Sequence, residues 1–256
     1  MSTEAGLIVV TGGGTGIGRA VVHAIVETGL NCLVIGRSRE TLEETARTCS
    51  DHPGQVVVQV ADVSEPEDVS AILAAALEMG VPLMGVVNNA AMAGLALFPE
   101  WKADQIEAML KTNVVGPLNL VQAAWPYLVE SGGRVINISS LAVLGPFPGN
   151  GLYGMTKCAL DGLTRAIHAD AGESGVKAFS IAPGAVETDM LQTIVDETQL
   201  PPAKAMPPAE IARLVMACLA GEQDQHAGDV LYAAIPDFVT NDPDEAMAAM
   251  GRFHGS

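Results

Sequence analysis

Seven short apolar runs rich in β-branched residues recur along the 256-residue chain, at 7–11, 31–36, 55–61, 83–88, 133–139, 176–183 and 229–235. Each is apolar at nearly every position rather than at every second one, so both faces of the strand it forms must be covered. Helix-patterned stretches separate them, at 16–28, 39–48, 65–79, 103–129, 153–172 and 208–219. Strands joined through helices pair in parallel, and a parallel sheet must be wrapped on both sides. The expected fold class is α/β, a doubly wound parallel sheet of about seven strands. Residues 1–235 read as one domain and 236–256 as a C-terminal tail, with 49% hydrophobic content sufficient for a large core.

The first run leads directly into TGGGTGIG, residues 11–18, which opens the first helix. Glycines let the backbone turn sharply and approach a pyrophosphate, whose charge meets the unpaired N–H groups at the helix start. A dinucleotide is the natural ligand. At the end of the second run, where dinucleotide folds place an acidic residue for the ribose hydroxyl, stands Gly36, followed by Arg37, Ser38 and Arg39. A carboxylate there would repel a 2′-phosphate, whereas guanidinium and hydroxyl donors receive one, so NADP(H) is favoured over NAD(H). The other reading is that Arg37 and Arg39 are surface charges of the next helix.

Tyr153 and Lys157 stand four residues apart, with Ser140 thirteen residues before the tyrosine. The spacing puts phenol and ammonium on one helix face, where the cation is expected to draw the tyrosine pKa down from about 10 toward working pH. That is an acid-base device.

Charge and cysteines remove other classes of function. With 30 acidic against 13 basic residues, the net charge of −17 repels phosphate backbones and anionic membrane surfaces, so neither nucleic acid nor membrane is an expected partner. Cys32, Cys49, Cys158 and Cys218 show neither metal spacing nor a disulfide framework, and no metal site is expected. With no signal-type apolar stretch at the start, the reading is a cytoplasmic protein.

TGGGTGIG, Asn88-Asn89-Ala90-Ala91, Asn113, Ser140, Tyr153-x-x-x-Lys157 and Pro183-Gly184 occur in that order. In this the chain resembles the short-chain dehydrogenase/reductase family over about residues 6–235, with a Rossmann-like fold. The resemblance implies Tyr153 as the acid that protonates the forming alkoxide, and as base in reverse. Lys157 would lower the tyrosine pKa and hold the nicotinamide ribose, Ser140 would bond the substrate oxygen, and Asn113 would hold a relay water. Cofactor contacts would come from Gly12, Thr15, Gly16, Ile17 and Gly18, then Arg37 and Ser38. Asp62 with Val63 would meet the adenine, Asn89 would support the adenosine ribose side and Thr188 would contact the nicotinamide amide, with Ala90, Pro183, Gly184 and Val186 as further cofactor contacts.

The implied activity is an NADP(H)-dependent oxidoreductase acting on a small-molecule carbonyl or alcohol. Alternatives are a C=C reductase of enoyl or dienoyl thioesters, or a protein that senses NADP(H) without turnover. Leu141, Val143, Leu144, Phe147 and Leu152, with Met92, Leu95, Leu97 and Met190, suggest an apolar pocket for a hydrophobic substrate, or else packing of the loop onto the core. Apolar helices at 103–129 and 153–172 suggest a homodimer or homotetramer.

Three local features carry further expectations. Pro117, four residues after Asn113, removes a helical donor and should kink or bulge the helix there. The four prolines of 199–208 suggest an ordered excursion or lid. Asp242, Pro243 and Glu245 read as a capping box for a tail helix stopped by Gly251, whose Met247 and Met250 should cover the substrate cleft or a partner subunit. Ser38 and Ser64 read as helix caps.

Overall fold

The computed structural model describes residues 6–145, 147–194 and 205–254. Its strands are β1 (Leu7–Thr11), β2 (Asn31–Gly36), β3 (Val56–Val60), β4 (Leu83–Asn88), β5 (Arg134–Ile138), β6 (Lys177–Pro183), β7 (Val230–Ile235) and β8 (Phe238–Thr240). They form one sheet in the order β3-β2-β1-β4-β5-β6-β7-β8, parallel except for the last pair. The helices are α1 (Gly16–Glu27), α2 (Arg39–Thr48), α3 (Pro66–Glu78), α4 (Ala103–Leu110), α5 (Gly116–Ser131), α6 (Gly151–Ala171), α7 (Asp189–Ile194), α8 (Pro208–Ala220) and α9 (Pro243–His254).

Alternation along each strand divides the core into two layers. Ile8 and Val10 face a cluster built from α1, α2 and α8, while Leu7 and Val9 face another built from α3, α5 and α6. Both faces are thus covered, which is why the runs carry apolar residues at every position. From the central pair β1 and β4 the chain winds outward in opposite directions, which opens a crevice at the carboxyl ends of these two strands.

The sheet has eight strands rather than about seven. After β7 the chain reverses at Asp237, a non-glycine residue at φ +56° whose N–H donates to the Glu210 carboxylate at 3.1 Å, and β8 returns antiparallel. Three residues are too few to register as an apolar run. The helix read at 103–129 is two, α4 and α5, joined by a π turn over Lys111–Val115 in which the Gly116 N–H bonds the Lys111 carbonyl. Pro117 has no N–H to continue the four-residue ladder, so the break falls where the proline requires it.

Two caps differ from the reading. Ser38 does cap α2, its Oγ accepting from the Thr41 N–H at 3.4 Å. Ser64 instead gives its N–H and hydroxyl to Asp62 Oδ1, at 3.0 and 2.8 Å, and α3 begins at Pro66. In the tail, Asp242 Oδ1 accepts from the N–H groups of Asp244 and Glu245, but the Glu245 carboxylate takes the Thr240 hydroxyl rather than closing a box. Gly251 does not stop α9, which runs to His254. Ala246 and Ala249 bury this helix against Tyr232 and Ala234 of β7. Of the proline-rich stretch, residues 199–204 lie outside the described residues.

Candidate active site

At the nucleotide end, β1 runs into a turn where Gly12 stands at φ +66°, a conformation that a side chain would strain. Gly18 serves close approach instead, because a Cβ there would run into the Gly12 carbonyl. Asn89, at the end of β4, donates from Nδ2 to the carbonyls of Thr11 and Gly12, at 3.0 and 3.1 Å. Thr11 Oγ1 accepts from the Asn89 and Ala90 N–H groups, both at 3.0 Å. The strand ends that flank the crevice are therefore stapled together, and the Asn89 amide expected on the ribose side is engaged with the turn itself.

Arg19 and Thr45 hold the other side of the turn. Arg19 Nε donates to the Gly14 carbonyl at 3.0 Å, and Thr45 Oγ1 to that of Gly13 at 3.2 Å. Neither stood out in the sequence; an arginine three residues into a helix that opens on glycines was the only available signal. Thr15 makes no side-chain cap to α1, and no acidic residue lies in its first turn. The helix start thus keeps backbone donors and its positive dipole end for an anion.

Beside the turn, Gly36 ends β2 and leaves Arg37 exposed, 3.9 Å from Asp62 Oδ2, a weak surface pair. The opposite wall carries Thr188, whose methyl a Cβ on Gly16 would meet at 2.9 Å.

At the other end, β5 stops at Ile138 and α6 begins at Gly151, so Ser140 and Tyr153 arrive from separate elements. Lys157 is 2% exposed, donates from Nζ to the Ile138 carbonyl at 2.7 Å, and lies 5.5 Å from the Tyr153 ring centre. Burial pushes this ammonium down to about 8, against the nearby charge of Asp161, which favours the cation. Tyr153 is pushed up to about 12 by burial, which its hydrogen bond with Ser140 only partly offsets. The expected lowering of the tyrosine pKa by Lys157 is therefore not what the structure shows. Both groups sit where charge is poorly solvated, and the phenol stays neutral.

Behind Lys157, one turn further along α6, Asp161 accepts from Ser180 Oγ at 2.6 Å and from Ser139. Ser139 belongs to this buried network rather than to the strand end alone. Asn113, within the π turn, accepts from the Met92 N–H at 2.7 Å and donates to the Met92 carbonyl and to Thr156 Oγ1, at 2.8 and 3.0 Å. Its side chain ties the π turn to α6 between Tyr153 and Lys157.

A cleft of about 730 Å³ joins the two ends. Apart from Asn113 and Gly18, every residue expected at the site lines it: Gly12, Thr15, Gly16, Ile17, Arg37, Ser38, Asp62, Val63, Asn89, Ala90, Ser140, Tyr153, Lys157, Pro183, Gly184, Val186 and Thr188. Of the expected apolar pocket, Met92, Leu141, Phe147 and Met190 line the cleft. Val143 and Leu144 pack on the α9 cluster, Leu152 packs beside Met109, and Leu95 and Leu97 are exposed. Met250 of α9 reaches the cleft as expected, while Met247 is 45% exposed.

The short chain dehydrogenase family model matches residues 6–199. The chain belongs to the short-chain dehydrogenase/reductase family. It is accordingly an oxidoreductase, and the family binds nicotinamide cofactors. It is 33% identical over 197 residues to 2-(R)-hydroxypropyl-CoM dehydrogenase of Xanthobacter autotrophicus, covering 75% of this chain and 79% of that one. An uncharacterized oxidoreductase of Staphylococcus epidermidis is 32% identical over 185 residues, covering 72% and 79%. A solved short chain dehydrogenase/reductase family protein superposes with a TM-score of 0.80 at 31% identity, covering 91% of this chain and 97% of the other.

The residues present fit a nicotinamide dinucleotide. A side chain at Gly18 would break the turn that would cradle a pyrophosphate, the start of α1 offers uncapped donors, and the cleft runs on to Tyr153 and Lys157. No helix among the described residues is long and apolar enough to cross a membrane.

Proposed function

We propose that this short-chain dehydrogenase/reductase interconverts a neutral, largely apolar carbonyl compound and its alcohol, with preference for NADP(H). The observation that carries this reading is the buried Tyr153, hydrogen-bonded to Ser140 and adjacent to the Lys157 ammonium, at the end of a cleft that begins at the glycine turn. When bound, the nicotinamide supplies or accepts the hydride. Tyr153, neutral to about 12, holds the proton that the forming alkoxide takes. Lys157 stabilises the phenolate left behind, and Ser140 donates to the substrate oxygen as negative charge builds on it.

Asn113 and Pro117 fit a proton path to Lys157. Pro117 can give no hydrogen bond to the Asn113 carbonyl, and the π turn lies against α6 through Thr156. The cofactor preference rests on Gly36, which brings no carboxylate, and on Arg37, whose exposed guanidinium is free to turn to a 2′-phosphate with Ser38 beside it. The Xanthobacter relative is named for the dehydrogenation of a hydroxypropyl compound, which is alcohol-to-carbonyl chemistry.

A homodimer or homotetramer accompanies this reading, supported by exposed Val115 and Leu118 near the π turn and Met155 on α6. Light scattering that finds a monomer at micromolar concentration refutes it. The central test is NADPH oxidation against a panel of neutral ketones and aldehydes, with NADH in parallel. Turnover with NADPH well above that with NADH supports the reading; no turnover of any carbonyl compound with either cofactor defeats it.

A further inference from the structure

Asp161 stands one helical turn beyond Lys157 on α6, and Arg165 one turn beyond Asp161. Lys157 and Asp161 are 2% and 5% exposed, whereas Arg165 faces water. A carboxylate withdrawn from water is costly unless donors and an opposite charge compensate it. Two serine hydroxyls supply the donors, Ser180 of β6 at 2.6 Å and Ser139 just past β5. The opposite charge, withdrawn to the same depth, is the Lys157 ammonium.

The end of β5 fixes the two groups together. Its last carbonyl, that of Ile138, accepts from Lys157 Nζ at 2.7 Å, so the ammonium head is held by a neutral acceptor. The next residue, Ser139, bonds Asp161 and donates from Oγ to the Lys157 carbonyl at 3.5 Å. The other ionisable groups facing the pair are Tyr153, Cys158 and Arg165 on α6 and Tyr232 on β7. The thiol and both phenols are pushed above their ordinary values by burial and stay neutral at pH 7, and the Arg165 charge is screened by water. Asp161 is therefore the charge that Lys157 senses, although it does not line the cleft.

We propose that Asp161 is a positioning residue for the reaction: its carboxylate, clamped by Ser180 and Ser139, supplies the counter-charge that keeps the Lys157 ammonium protonated while Tyr153 gives up its proton. The inference rests on the carbonyl reading of the site given above. Asp161 neither gives nor takes a proton in this scheme; it acts through Lys157, whose charge stabilises the phenolate. A carboxylate that only tied α6 to β6 could be exchanged for an amide without moving the pH dependence of the rate. A counter-charge could not, because its loss makes the buried ammonium easier to deprotonate.

Asp161→Asn keeps the shape and an acceptor for Ser180 but removes the charge, while Ser180→Ala keeps the charge and removes the tie. With acetophenone and NADPH as probes, Asp161→Asn should move the alkaline decline of kcat/KM down by about one pH unit, a loss of about fivefold at pH 8 and little at pH 6. Ser180→Ala should lower the melting temperature and leave the decline in place. Asp161→Ser, also neutral, gives the same expectation where the amide does not fold. Nuclear magnetic resonance of isotope-labelled lysine reads the charge without turnover, since the chain holds five lysines and the Lys157 signal is the one lost in Lys157→Met. Its midpoint, about 8 in the wild type, should fall by about one unit in Asp161→Asn and hold in Ser180→Ala. If Asp161→Asn slows reduction equally at pH 6 and pH 8, or leaves the lysine midpoint in place, the inference falls and the carbonyl reading stands. A midpoint that moves while the rate profile does not also overturns it. A midpoint that moves where the wild type reduces no carbonyl compound upholds the counter-charge and counts against the carbonyl reading; neither turnover nor a shift overturns both.

Discussion

The two ends of the cleft are made of different materials. At the glycine turn the groups proposed to meet the cofactor are backbone N–H donors and an exposed guanidinium, and the polar side chains of Asn89, Arg19 and Thr45 hold backbone in place. At Tyr153 the groups proposed to act are side chains, withdrawn from water and displaced from their ordinary ionisation. The first end follows from local geometry and costs the fold little. The second keeps a cation inside the protein, and such a charge destabilises unless it is well paired. Substitutions at the two ends should therefore differ in kind: binding losses at one, and opposed changes of rate and stability at the other.

The largest effect should come from Tyr153→Phe. It removes the proton donor and little volume, so turnover should fall by roughly 10³-fold or more, at the upper part of the range for acid-base groups. Affinity for NADP(H), measured by fluorescence titration, should stay within about twofold. Turnover near the wild-type rate would mean that the catalytic end has been misassigned.

Lys157→Met sharpens the contrast, because rate and stability should move in opposite directions. A pKa brought down to about 8 represents roughly 3 kcal/mol of unfavourable charge burial. Its sign follows from proton counts. Between about 8 and 10.4 the unfolded chain carries a proton on Lys157 that the folded chain lacks, so stability rises with pH through that window, and the deficit is full below it. Removing the amine at pH 7 should stabilise the protein by about 1–2 kcal/mol, net of the lost bond to the Ile138 carbonyl, while abolishing most turnover. In the wild type, reduction should decline as pH passes about 8 and Lys157 loses its charge, since Tyr153 keeps its proton to about 12. Chemical denaturation and a pH profile of kcat/KM check both halves. A profile flat to pH 10 would separate the lysine charge from the rate.

How much of this was readable beforehand follows the same division. Runs apolar at every position give the doubly wound sheet, because burial on both faces demands that pattern. The glycine turn is legible because its place between strand and helix leaves few other uses. Spacing also places Lys157 beside Tyr153 and a break at Pro117. What spacing cannot carry is burial: it puts an ammonium next to a phenol but does not say how far water is excluded, and in Tyr153 burial outweighs the neighbouring charge. Asp161 carries no signal in the sequence because its partners, Ser180 and Ser139, come from β6 and the end of β5, and only the folded sheet brings them to α6. β8 and the run of α9 to His254 depend likewise on contacts with β7 and Glu210.

Gly18→Ala probes the nucleotide end at its most confined point. The added Cβ runs into the Gly12 carbonyl, with the Asn89 amide close by, so turn and helix must separate. An overpacked site of this kind costs about 1–3 kcal/mol. NADP(H) affinity should drop roughly tenfold or more, with kcat at saturating cofactor changed far less than by Tyr153→Phe. Calorimetric titration and thermal unfolding give the two values. Unaltered affinity would show that the turn does not need this close approach.

Arg37→Ala should have the smallest effect, and it separates the two cofactors. The guanidinium is exposed and its pair with Asp62, at 3.9 Å, contributes little to the fold, so stability should change by no more than about 0.5 kcal/mol. Toward a 2′-phosphate the same group can make charge-assisted hydrogen bonds, weakened by solvent, worth about 1–1.5 kcal/mol. The KM for NADPH should then rise about tenfold while that for NADH moves less than twofold, and the difference should shrink as salt is raised, because the interaction faces water. Ser38 does not replace it: its Oγ already accepts from the Thr41 N–H, leaving only its hydroxyl proton to give. An equal rise for both cofactors would reduce Arg37 to a surface charge. The preference would then have to rest on Gly36 alone, through the absence of a carboxylate rather than the presence of a cation.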